Sequence, residues 1–176
     1  MRSCFLLGCF ALLGWGCVDD PQPTPDDPCA IRPLINGGAA EIGLGTIDDI
    51  SLFTPVTEGQ DITVQPGVQY LLISVLNVRT RDMTLGTANL GGQVEFAAYD
   101  PSGQMVNLAD GCRVRDFAPT ADGYLQLTEP FALPFTGAAA VALDNVPITI
   151  RVDVRDPEGR QAWDERSFVF RHPPAR

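Results

Sequence analysis

Five cysteines and a single histidine are the residues of this chain best suited to nucleophilic, redox or metal chemistry, and their placement removes most of it. The cysteines stand at 4, 9, 17, 29 and 112, with no C-x-x-C among them, and His172 lies in a tail followed by Pro173-Pro174, a frayed end rather than a held catalytic base. There is no G-x-S-x-G and no H-E-x-x-H, so serine-hydrolase and zinc-protease chemistry lack their usual residues. All 12 basic side chains are Arg, which excludes Schiff-base chemistry and the phosphate-binding Lys of a P-loop. Carboxylates alone can hydrolyse a glycosidic bond, so a hydrolase of envelope or extracellular polysaccharide stands as an alternative, but no spacing selects a pair among 22 acids and no catalytic residue is assigned.

Calcium has a partial pattern. With Val154 at position 1 of an EF-hand loop, Asp156, Glu158, Gly159 and Glu165 fall at positions 3, 5, 6 and 12. Val154 offers no side-chain oxygen, and the flanking segments read as strands, so Asp156, Glu158 and Glu165 read first as the polar residues of a hairpin. Trp163, Tyr70, Tyr99 and Tyr124 are the candidates for exposed aromatic platforms, whereas Phe168 and Phe170 alternate like core residues. No cofactor is implied.

The formal charge of -10 opposes binding to nucleic acid, because no basic stripe is available to neutralise phosphates. Met1-Arg2 followed by the apolar SCFLLGCFALLGWG has the form of an export signal, too short for a membrane span of about 20 residues. It ends in Gly16-Cys17, with a small residue before a Cys that would become the lipidated first residue. Leu6-Leu7-Gly8-Cys9 is the better local match, but cutting there would leave only a vestigial apolar stretch before the site and an apolar FALLGWG after it. Residues 18–28, VDDPQPTPDDP, read as an extended tether at about 3.1 Å per residue, repelled by an anionic membrane surface. The expected organisation is thus a signal over residues 1–16, a lipidated Cys17 with its tether over 17–28, and one domain over 29–176. Lipid is the expected contact with the membrane. Val18 rather than Asp after the Cys suggests outer-membrane sorting.

From Cys29 onward apolar residues alternate or run in short blocks between Gly, Pro and Asp, the pattern of strands. In Pro147–Arg155, Ile148, Ile150, Val152 and Val154 share one face; Asp156-Pro157-Glu158-Gly159 makes a turn, and Arg166–Arg171 resumes a strand. Val94–Tyr99, Asp100-Pro101-Ser102-Gly103 and Gln104–Leu108 read as a second hairpin. Tyr70–Val78, apolar on both faces, suits a central strand, preceded by Asp61–Val64 and a Pro66-Gly67 turn. Weaker strand patterns cover 42–44, 50–53, 114–117, 124–127 and 139–143, with a short Ala-rich helical turn as the alternative for the last. Seven or more short strands indicate an all-β, two-layer sandwich.

The signal, the Asp/Pro tether and the hairpin ITIRVDVRDPEGRQAWDERSFVF resemble bacterial exported lipoproteins with an immunoglobulin-like domain, a group well represented in myxobacteria. The resemblance implies a fold and a place in the cell envelope. It covers the signal and about half the domain, without the Cys-Trp-Cys spacing of antibody domains, since Trp163 follows both Cys29 and Cys112.

A two-residue turn at Pro157-Glu158 would set Arg155 opposite Arg160 and Val152 opposite Trp163, turning Trp163 inward. Phe168 and Phe170 would then face water unless one extra residue intervened, so a bulge is expected at Asp164-Glu165. Arg151 and Asp153 would lie outward beside it, making Arg151, Asp153, Asp164 and Glu165 the candidate contact patch. The functional expectation is a lipid-anchored envelope module acting by binding or structural interaction with a protein or glycan; a calcium- or glycan-binding adhesion module is a further alternative. If Cys17 carries lipid, Cys29 and Cys112 are the remaining thiols and an oxidising compartment would pair them. Thiol labelling of the mature, unfolded and unreduced protein is expected to find none free; two labelled thiols would show unpaired cysteines.

Overall fold

The alternation in PITIRVDVR gives β12 (Pro147–Arg155), with Ile148, Ile150, Val152 and Val154 fully buried. Its partner β13 (Arg160–Arg171) runs unbroken for 12 residues. The computed structural model describes residues 35–46, 49, 52–67, 71–85, 91–108 and 113–172. The signal, Cys17, the tether, Tyr70, Cys29, Cys112 and with them the expected disulfide lie outside the described residues.

Two sheets form an all-β sandwich. In the first, β12 is flanked by β13 and by β7 (Gly92–Tyr99), and β7 carries β8 (Arg113–Arg115). The outer edge of β13 is completed by two short parallel strands, β1 (Ile35–Asn36) at its start and β4 (Gln60–Thr63) at its end. The second sheet is built on β6 (Leu72–Arg81), the central strand expected from its two apolar faces. One edge of β6 pairs with β2 (Ala39–Leu44) and β5 (Gln65–Pro66), the other with β10 (Leu125–Leu127) and β11 (Phe131–Phe135). At the margins, β3 (Thr54–Pro55) joins β2 and β9 (Phe117–Pro119) joins β10. The Ala-rich segment takes the helical alternative as α1 (Gly137–Ala142), capped by Thr136, whose hydroxyl accepts the Ala139 N–H.

The layers meet through aromatic pairs, Phe96 against Phe131 at 4.6 Å between ring centroids and Phe135 edge-on to Phe170 at 5.0 Å. Burial of each such side chain contributes about 1.5–3 kcal/mol. The chain changes sheet repeatedly. Asp61–Thr63 pairs with β13, but after Val64 the chain joins β6, so the expected β4–β6 hairpin does not form. Likewise the expected strand at 114–117 is split at Asp116 into β8 and β9, one in each layer.

Three hairpin turns share one construction. In Asp100–Gly103, Thr120–Gly123 and Asp156–Gly159 the Gly N–H bonds the carbonyl of the first residue, and the Gly has φ of +81°, +82° and +88° respectively. The first residue's side-chain oxygen then accepts the N–H that follows the Gly, at 3.0 Å for Gln104, 3.1 Å for Tyr124 and 2.8 Å for Arg160. These are type I turns followed by a left-handed glycine, a bulge that adds one residue to the second arm. The Asp100 carboxyl is held below its ordinary range by the Ser102 hydroxyl and the Gln104 N–H.

This corrects the expected register. Arg155 pairs with Gln161, not Arg160, and Val152 pairs with Asp164. The extra residue is Gly159 in the turn, so no bulge interrupts Asp164-Glu165; Phe168 and Phe170 are fully buried as expected, but Trp163 faces solvent. The second hairpin is reduced as well, with a single bridge at Tyr99–Met105 in place of a strand over 104–108. There the Asn107 side chain takes the ladder's role, accepting the Ala98 N–H at 2.7 Å and donating to the Phe96 carbonyl at 3.4 Å.

Gly159→Ala is expected to destabilise the protein by about 1–2 kcal/mol in urea unfolding, the cost of a left-handed conformation for a residue with a Cβ. Gly137→Ala, where a Cβ meets nothing within 4 Å, should be neutral or slightly stabilising.

Candidate functional site

The register of β12, β13 and β7 arranges the outer face of the first sheet in cross-strand rows. Asp153 stands between Glu95 and Trp163, Arg151 between Ala97 and Glu165, and Arg155 between Gln93 and Gln161. Trp163 is 56% exposed, the most open aromatic ring among the described residues. Its ring carries the Arg151 guanidinium 5.0 Å from the centroid.

Asp153 organises this face. Its carboxylate accepts Arg151 Nε at 2.7 Å and Nη2 at 3.1 Å in a bidentate fork, and Oδ1 also accepts the Gln161 amide at 2.5 Å. These bonds hold Arg151 protonated beyond arginine's already high range, with Glu165 adding to the effect. An open depression of about 350 Å³ lies beside the ring, lined by Arg151, Gln161, Ala162, Trp163 and the side-chain-free Gly37-Gly38. Gly38 has φ of +83°, and a Cβ there would come within 2.6 Å of the Arg81 carbonyl, so that wall stays bare backbone. Among the described residues, the Trp163 indole N–H, the Gln161 side-chain carbonyl and Arg151 Nη1 have no hydrogen-bond partner.

Of the expected contact patch, Arg151, Asp153 and Glu165 come together here. Asp164 does not, because it pairs with Val152 and so turns to the inner side. There its Oδ2 accepts the Ile42 N–H of β2 at 2.9 Å and Arg166 Nε at 3.0 Å, joining the two layers. Nor do the calcium candidates converge. The buried Asp156 carboxylate accepts the backbone N–H groups of Arg160 and Thr84 and the Arg160 guanidinium, Glu158 binds the same guanidinium, and Glu165 faces Arg151 one face away. No group of three metal-ligating side chains occurs among the described residues. Asp153 and Glu95, the two carboxylates directly opposite each other across strands on this face, stand on an open strand surface, and both oxygens of Asp153 are engaged in positioning its neighbours.

Compared with known proteins, the chain matches no family model, no curated protein sequence and no solved structure. The site therefore rests on its own geometry.

Trp163 on the open face, Gln161 beside it and the Gly37-Gly38 wall were not assembled from sequence. The signal for the first two was present: a Gly in the fourth place of Asp-Pro-x-Gly marks the left-handed conformation and hence a one-residue offset. Tyr124, another expected platform, is instead covered by guanidinium groups, Arg79 at 4.0 Å and Arg81 at 3.7 Å from its centroid.

Asp164→Ala is expected to cost about 1–3 kcal/mol in urea unfolding, because the Ile42 N–H loses its acceptor. Glu165→Ala, on the exposed face, should stay within about 0.5 kcal/mol of wild type. Equal effects of the two would contradict the assigned faces.

Proposed function

We propose that the chain is an exported, lipid-anchored binding module of a bacterial cell envelope, held at the outer membrane through Cys17, with the Trp163 face as its contact surface. The observation that carries this reading is the exposed Trp163, set on an open sheet face beside polar groups that Asp153 fixes in place. An indole in water exposes apolar area that a partner can bury, and side chains already fixed lose little entropy on binding. The lipoprotein-like Gly16-Cys17 and the Asp/Pro segment behind it supply the anchor and the spacing, and no helix among the described residues is long and apolar enough to cross a membrane.

The test uses fractionation and retention together. Cys17→Ser is expected to let repeated detergent-free washing elute the protein from the membrane fraction, where the lipid-anchored wild type stays. The released protein should be retained by sedimented envelope fragments, and Trp163→Ala in that background should reduce retention at least tenfold while leaving the urea midpoint unchanged. Retention that ignores Trp163 would place the contact surface elsewhere.

A further inference from the structure

We infer that the ligand of the Trp163 face is an uncharged glycan, an inference that rests on reading this face as the binding surface. Three features of the face select the class. A pyranose ring presents a flat array of C–H groups flanked by hydroxyls that donate and accept. The Trp163 ring offers the apolar shelf, while the indole N–H and Arg151 Nη1 offer donors and the Gln161 carbonyl an acceptor around it. Asp153 fixes Arg151 and Gln161, so the hydrogen-bonding groups are oriented before a ligand arrives. The depression of about 350 Å³ lies at the small end of ligand pockets, roughly 300–1,000 Å³, and its open form suits a short stretch of a chain that continues past it on either side.

Charge separates this class from its competitors. The chain carries -10 overall, Arg151 in the depression is held by a bidentate carboxylate, and Glu165 and Glu95 stand in the neighbouring rows, so the charge of the face opposes a polyanion, with Arg155 one row away as a single cation against these acids. A cationic peptide is disfavoured for the opposite reason. An incoming ammonium or guanidinium at the indole would stand beside the Arg151 guanidinium and be repelled by it, a cost that an uncharged ring on the exposed part of the indole does not meet, and both Asp153 oxygens are engaged. Uncharged hydroxyl-bearing polymers meet neither obstacle.

The chain contains two tryptophans, Trp15 and Trp163. Trp15 lies in the signal that the proposed processing at Cys17 removes, so in the mature protein, in a detergent without sugar headgroups, Trp163 is the sole indole and its emission a direct reporter. The probes are soluble oligosaccharides of the cellulose, chitin, starch and mannan types, with oligo-alginate and a lysine-rich peptide as the anionic and cationic contrasts. A saturating emission change is expected with at least one neutral oligosaccharide, and Asp153→Asn should weaken that binding about tenfold without moving the urea midpoint, which a merely structural role would not do. Silence with every neutral oligosaccharide, or a response only to alginate or to the peptide, would overturn the glycan assignment. If envelope retention still depends on Trp163 in that case, the binding face stands with another ligand; if it does not, both readings fall.

Discussion

Gly159 takes a φ of +88°, and the face of every residue from Gln161 to Val169 follows from it. A side chain in a strand has two directions available, so a single added residue in a turn reverses the direction of all that comes after. With Gly159 as the added residue, Ala162, Phe168 and Phe170 enter the core and Trp163 and Glu165 leave it. The core supports this arrangement independently. Phe168 and Phe170 are fully buried, and the alternative offset would exchange two aromatic side chains for Ser167 and Val169. Hydrophobic burial and turn chemistry thus agree on one register.

That register also sets two charged residues, Asp164 and Arg166, on the inner side of β13, where apolar side chains would be expected. The arrangement is sustained because β2 of the other sheet passes there with an unpaired N–H at Ile42. Asp164 accepts it, and Arg166 balances the carboxylate. Asn107 does the same for the free edge of β7, and Asp156 for the Thr84 N–H at the end of β6. In each case a short polar side chain substitutes for a strand that is missing. Unpaired backbone groups are costly when buried and invite edge-to-edge association when exposed. Side-chain acceptors close these edges without extending either sheet.

How much of this was legible in the sequence depends on the range of the interaction. The alternation of Ile148, Ile150, Val152 and Val154 reported β12, the two apolar faces of β6 reported its central place, and Asp-Pro-x-Gly reported turns, because each is a local preference. The two-layer all-β architecture follows from such patterns. The sheet changes at Val64 and Asp116 did not show, since they depend on which distant edge is unfilled: β4 finds room on β13 and β5 on β6 only once both sheets exist. β11 was hidden by Pro134, which would discourage an interior strand although its five residues pair continuously with β6. Arg151 and Asp153 were recoverable because the alternation within β12 sets their face whatever the offset, and Glu165 because the expected bulge fell on it, whereas Asp164 pairs with Val152 and turns to the inner side.

The two outer faces of the sandwich differ in what remains available to a ligand. On the second sheet, Phe53 lies on Gly43, where a Cβ would approach its ring to 2.5 Å, and Arg79 is stacked between Phe53 and Tyr124 while bound to Glu41 and Asp122. Asn77 on the same face is fully buried and donates to the Leu52 carbonyl. That face is occupied by its own chain, its rings and guanidiniums paired with one another. Among the described residues nothing covers Trp163 on the first sheet in this way, and its polar groups are fixed by Asp153 on one side only, leaving donors and an acceptor directed outward. A face whose polar groups are ordered but not closed off by the chain's own side chains suits a partner, because those groups exchange water for a ligand with little further loss of freedom. The same kinds of side chain, aromatic rings and arginines, therefore close one side of the sandwich and leave the other open for recognition.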